Sequence, residues 1–182
     1  MVALNPPPAE LGKKAPSFSL KCVDGKTHSL DELKGKNGTL VMFICNHCPF
    51  VKAIVDKLAK DADELIKNGV SVIAINANNP LEYPEDSYDN MKIFARDHQF
   101  NFHYLFDETQ DVAKAFGAVC TPDFFGYNTN LELQYRGRFD DSGMQQKPNS
   151  KHELLEAMLE IGKSGKFSGE QKSSIGCSIK WI

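Results

Sequence analysis

Four consecutive residues, Cys45-Asn46-His47-Cys48, carry most of the chemistry this chain can do. They close the apolar run Thr39-Leu40-Val41-Met42-Phe43-Ile44, and a segment with helical spacing follows at once. Where a strand hands over to a helix, first-turn N–H groups and the positive end of the helix stabilise a thiolate and lower its pKa. Two intervening residues in a turn also bring the sulfurs within disulfide reach. This order points to reversible dithiol–disulfide exchange, with Cys45 as the attacking thiolate and Cys48 resolving the mixed disulfide. His47 is either a charge that stabilises the neighbouring thiolate or an exposed turn residue. Half of a zinc site and a pair of buried structural cysteines are the other readings of the same residues.

The remaining cysteines divide by context. Cys22 falls in an early hairpin and reads as structural. Cys120 reads as a small core residue, or as a thiol facing a substrate. Cys177 follows the Gly/Ser/Lys-rich stretch 163–174 and sits in an apolar end, Ile175-Gly176-Cys177-Ser178-Ile179-Lys180-Trp181-Ile182. Those side chains need cover. The tail is expected to pack on its own domain with Cys177 near the dithiol; a thiol-delivering or partner-binding arm is the alternative. Tetrahedral zinc needs four convergent ligands, and no second close pair stands among Cys22, Cys120, Cys177, His98, His103 and His152. His47 is not expected to turn back to share a metal with its neighbouring sulfurs, so no metal is expected. With no phosphate loop or dinucleotide fingerprint, no cofactor is expected either, and electrons should come from an external thiol reductant.

Composition narrows the class. Twenty-one basic and 24 acidic residues are interspersed, for a net charge of −3, which argues against a nucleic-acid partner. No apolar stretch reaches membrane-span length, and Met1 to Pro8 lacks the basic and apolar regions of a signal peptide. Five cysteines among 182 residues are too few for a disulfide framework, which suits a reducing compartment, the cytoplasm, and one reactive pair.

The elements that must hold the dithiol follow an α/β alternation. Strands are expected at 17–21 and 26–29 around the turn Asp24-Gly25, then at 40–44, 70–75, 102–106, 124–127 and 131–135. Val51, Ile54, Val55, Leu58, Ala62, Leu65 and Ile66 repeat at helical spacing, with Lys57, Lys60, Asp61 and Glu64 on the other side and Gly69 at the end. Met91, Phe94 and Ala95 mark a second helix, 112–116 a short one, and Leu154, Leu155, Met158 and Leu159 a last one. The loop 76–89, with two prolines and four acidic residues, leaves the same sheet edge as the dithiol and is placed to wall its cleft.

Four segments in order resemble a known family: Cys45-Asn46-His47-Cys48-Pro49-Phe50-Val51-Lys52, Tyr83-Pro84-Glu85-Asp86-Ser87, Thr121-Pro122-Asp123 and Tyr135-Arg136-Gly137-Arg138-Phe139-Asp140-Asp141. Residues 15–161 resemble the thioredoxin superfamily and, within it, the peroxiredoxin-like branch (alkyl hydroperoxide reductase/thiol-specific antioxidant, or AhpC/TSA, redoxin), here bearing a thioredoxin-type dithiol. The resemblance implies an α/β thioredoxin-like fold: a central mixed sheet covered by helices, with an N-terminal β-hairpin extension. It divides the chain into a lead-in at 1–14, a domain at 15–162 and a C-terminal arm at 163–182. It implies a cis-proline, Pro122, facing the dithiol and leaving the Thr121 backbone open to an extended substrate. It also implies a strand arginine near the reactive thiol, Arg138 in preference to Arg136. Two departures stand out. Ile44 replaces a tryptophan, with no buried acid on the preceding strand. Cys45 takes the place of the Thr or Ser three residues before the peroxide-reacting cysteine of peroxiredoxins, which puts Cys48 at that cysteine's position. The expected function is thiol–disulfide exchange on protein or small disulfides. The alternatives are a thiol peroxidase with Cys48 attacking peroxide and Cys45 or Cys177 resolving, and a redox-regulated binding protein using loop 76–89 and the arm.

Overall fold

The computed structural model describes residues 3–182; Met1 and Val2, the start of the expected lead-in, lie outside the described residues. Strands β1 (Ala3–Leu4), β2 (Ser19–Cys22) and β3 (Thr27–Ser29) lead into the one-turn helix α1 (Leu30–Leu33). Then come β4 (Thr39–Phe43), α2 (Pro49–Lys67), β5 (Ser71–Asn76), a 3-10 turn (Pro84–Asp86), α3 (Tyr88–Asp97) and β6 (His103–Phe106). The chain continues with α4 (Asp111–Phe116), β7 (Cys120–Thr121), β8 (Asp123–Tyr127), β9 (Leu133–Tyr135), α5 (Glu153–Ser164) and β10 (Gly176–Ser178).

Seven strands form one mixed sheet in the order β3-β2-β6-β5-β4-β8-β9. β4, β5 and β6 are parallel, as the α2 and α3 crossovers require, while β8 and β9 return antiparallel. This is the α/β fold with helices over a mixed sheet and an N-terminal hairpin that the sequence led us to expect. β4 has no exposed residue, and the two-residue period of a strand divides its side chains between two cores. Leu40, Met42 and Ile44 pack with α2, α3 and α5, whereas Val41 and Phe43 pack with Leu30, Phe116 and Phe125 on the opposite face.

Several expectations need correction. Asp61, assigned to the outer side of α2, is buried and lies 2.9 Å from His152, because the approach to α5 covers that turn. Ile175, Trp181 and Ile182 of the apolar tail stay exposed, while Cys177 and Ile179 are buried. The lead-in and the arm also meet. β1, β10 and β7 form a separate three-stranded sheet with Ala3 opposite Cys177 and Cys177 opposite Thr121. Among the described residues, no helix is long and apolar enough to cross a membrane.

Candidate active site

Helix α2 begins at Pro49, whose missing N–H costs nothing in a first turn, and Cys48 is therefore its N-cap residue. Cys45 lies further back, in the link from β4, so the helix field falls on Cys48. Both thiols are fully buried.

The Thr121-Pro122 peptide is cis. The Thr121 carbonyl oxygen lies 3.2 Å from Cys48 Sγ, and the Thr121 hydroxyl 3.3 Å from Cys45 Sγ. From the other side, β10 brings Cys177 Sγ to 2.9 Å from Cys48 Sγ. Three sulfurs and Thr121 thus form one cluster. Cys120, the neighbour of Thr121, is buried and its thiol lies 3.8 Å from the Pro122 carbonyl; burial pushes its pKa up.

Proton bookkeeping in the cluster favours one thiolate. The adjacent thiols of Cys45 and Cys177 and the backbone N–H groups of Val51 and Cys177 favour the charged form of Cys48. The Cys45 thiol is the largest influence, and together they outweigh burial and lower Cys48 from 9.0 to about 5. The Thr121 carbonyl, which accepts from the protonated Cys48 thiol, opposes them. Cys45 moves the other way, well above its ordinary value, through its bond to Cys48, burial and the nearby charge of Asp86. Cys177 is pushed up to about 12 by burial and by facing Cys48. These shifts favour the charge on the second cysteine of the pair.

His47 turns toward Cys45, its Nδ1 lying 4.0 Å from Cys45 Sγ. The same nitrogen is 2.5 Å from Asp86 Oδ2. Because one nitrogen faces both groups, the ring is not placed to relay a proton from Cys45 to Asp86. Asp86 is completely buried. Its Oδ1 accepts the N–H groups of Asn46, at 2.7 Å, and His47, at 3.3 Å, and Asn78 Nδ2 donates to its Oδ2 at 2.7 Å. This carboxylate shapes the turn between the cysteines. Tyr83 stacks on His47 with ring centres 5.2 Å apart, and Tyr104 donates to Asn46 Oδ1 at 2.9 Å.

Sequence reasoning quoted Tyr83 and Asp86 only within a resembling segment, giving neither a role, and missed Asn78 and Tyr104, although it singled out loop 76–89. Proximity in a loop carries no periodicity that could say which of several acids turns inward. Cys45, His47 and Asp86 place sulfur, nitrogen and oxygen donors within 4.8 Å of one another, a set able to take a soft cation; Cys22, Asp24 and His28 form a second. In the first set Asp86 Oδ2 is already held by His47 and Asn78.

The arginines lie elsewhere. Arg136 makes a two-point pair with Asp123, at 2.8 and 3.3 Å, and reaches the Gly117 carbonyl. Arg138 pairs with Glu153 at 2.6 and 2.9 Å. Arg138 also stands in the wall of a groove of about 250 Å³ lined by Phe50, Ile54, Pro122, Phe124 and Ile175.

A thioredoxin-like sheet with a buried thiol cluster at a helix start and a facing cis-proline defines a thiol redox protein. A protein-family model described as the AhpC/TSA family matches residues 11–139, and the chain belongs to that family. An uncharacterized conserved protein from Geobacillus kaustophilus is 44% identical, with a TM-score of 0.94 and coverage of 100% of this chain and 97% of that one. A chloroplastic peroxiredoxin Q from Populus jackii is 29% identical over 115 residues, 63% of this chain and 49% of that protein, so the match spans about half of that relative's length. The thiol-disulfide oxidoreductase ResA of Halalkalibacterium halodurans is 28% identical over 125 residues, 69% of this chain and 66% of its own.

Proposed function

We propose that the protein is a thiol peroxidase in which Cys48 attacks the peroxide. The observation that carries this reading is the position of Cys48 at the helix cap, 2.9 Å from Cys177 Sγ, with its pKa lowered far enough to favour a thiolate near neutral pH. The thiolate takes one peroxide oxygen as the O–O bond breaks. The other oxygen leaves, protonated, as water or alcohol, and Cys48 becomes a sulfenic acid. A neighbouring thiol then condenses with the sulfenic acid, releasing water and forming a disulfide, which an external thiol reductant reduces. Cys45 and Cys177 are both close enough to take part. The apolar groove beside Pro122 and Phe50 suits the organic part of a hydroperoxide, with Arg138 at its wall.

Exchange on extended protein substrates is the weaker reading, because the Thr121 edge they would pair with is already taken by Cys177 of β10. Disulfide exchange is retained for the recycling step with the external thiol. The sparse and odd cysteine count supports placing this cycle in the cytoplasm.

Stopped-flow mixing with hydrogen peroxide and cumene hydroperoxide tests the reading. We expect rapid loss of one thiol pair in the native protein, and Cys48→Ser to react only at background. Oxidation by either peroxide no faster than that of a free thiol, alongside efficient reduction of a protein disulfide through Cys45, would overturn it.

A further inference from the structure

We propose that Cys177 is the resolving thiol, carried to Cys48 by a C-terminal strand lodged where an extended substrate would otherwise pair, so that the site accepts small peroxides and excludes peptide chains. The inference rests on the peroxidase reading and adds to it the resolving residue and the substrate class.

Register comes first. A peptide that adds to a strand edge uses main-chain hydrogen bonds, and it presents alternate side chains to the site. β10 does this from within the chain: Cys177 lies opposite Thr121 and Ser178 opposite Cys120. The Cys177 sulfur therefore arrives at Cys48 as the sulfur of a bound substrate would, 2.9 Å away. A disulfide is about 2.05 Å long, so closure needs less than an ångström of movement.

The approach is built in. A side chain at position 176 would place its first carbon 2.2 Å from the Thr121 carbonyl oxygen, so glycine is the residue that lets β10 lie this close. The segment beyond is tied down too. Ile179 donates its N–H to the Val119 carbonyl at 3.0 Å, and the Lys180 N–H reaches Asn78 Oδ1 at 2.9 Å. Gln110 holds both the Lys180 carbonyl, at 2.8 Å, and the Ile182 N–H, at 2.9 Å. Such anchoring suits a resident strand and leaves a protein substrate no edge.

Cys45 is the competitor. Its sulfur is engaged by the Thr121 hydroxyl at 3.3 Å and stands beside His47 and Asp86. Burial raises the pKa of Cys177 throughout, but once Cys48 becomes a neutral sulfenic acid the charge that also opposed its ionisation is gone and Lys180 favours it, whereas both burial and Asp86 still oppose ionisation of Cys45. Cys177 then attacks the Cys48 sulfur; its proton and the sulfenic hydroxyl leave as one water, and a Cys48–Cys177 disulfide forms.

The test combines peroxide oxidation, dimedone trapping and non-reducing peptide mapping in the native protein, Cys45→Ser and Cys177→Ser. In Cys45→Ser, a Cys48–Cys177 disulfide should form with little trapped sulfenate. In Cys177→Ser, the sulfenate at Cys48 should live at least tenfold longer. The reverse pattern, with Cys45–Cys48 the first disulfide in the native protein, would overturn the proposal. A second arm uses diamide, an azo oxidant that accepts two electrons and two protons and needs no peroxide chemistry. Cys48 inert to peroxide while diamide joins Cys48 to Cys177 would sink the peroxidase reading but keep the pairing. Diamide joining Cys48 to Cys45 first would sink the pairing itself.

Discussion

The residue that decides the chemistry is Pro49, though it reacts with nothing. By starting helix α2 one position after Cys48, it hands the helix field to Cys48 and leaves Cys45 behind. The dithiol was plain in the sequence, but which sulfur is charged was not. That depends on a helix boundary and on a third thiol 129 residues away. His47 shows the same limit, because the charge expected to serve a thiolate faces a buried carboxylate from another loop. A pH profile tests the assignment. With Cys48 lowered to about 5, the thiolate predominates above that pH, so the rate with peroxide should be flat from neutrality down to about pH 5 and fall about tenfold per unit below that. Ultraviolet thiolate absorbance should titrate in parallel, and Cys45→Ala or Cys177→Ala should raise the midpoint by removing the neighbouring thiol. An inflection near the ordinary thiol value of about 8.5 would refute the assignment.

At the scale of elements, periodicity did most of the work. The apolar spacing of α2 and the unbroken apolar run of β4 showed in the sequence because each repeats a pattern long enough to count. β10 did not show. Three residues, Gly176-Cys177-Ser178, carry no alternation, and their partner β7 has only two. Their pairing depends on close backbone approach. Gly176→Ala should therefore lift β10 from Thr121 while sparing the large sheet. We expect a loss of about 1–3 kcal/mol, the usual cost of overpacking, with alkylation of Cys177 by iodoacetamide accelerated well beyond that of Cys22. Chemical denaturation and mass-resolved labelling measure the two effects, and unchanged labelling of Cys177 would contradict the strand's positioning role.

For the molecule as a whole, the large sheet was legible because all its neighbours but β2–β6 and β4–β8 are joined by short hairpins or by single crossovers. The small sheet was not, because its strands lie at opposite ends of the numbering: Asn5 donates to the Ser174 carbonyl across 169 positions. Closing so long a loop is entropically slow, and contacts of this kind tend to form late. On refolding under reducing conditions, far-ultraviolet ellipticity should recover before Cys48 and Cys177 become protected from a thiol reagent; simultaneous recovery would contradict this order. The arrangement makes reactivity a certificate of completion. Intermediates with helices and central strands in place, but the ends still unjoined, would hold Cys48 without Cys177 beside it, and so, on the peroxidase reading, would scavenge peroxide poorly until the last contacts closed.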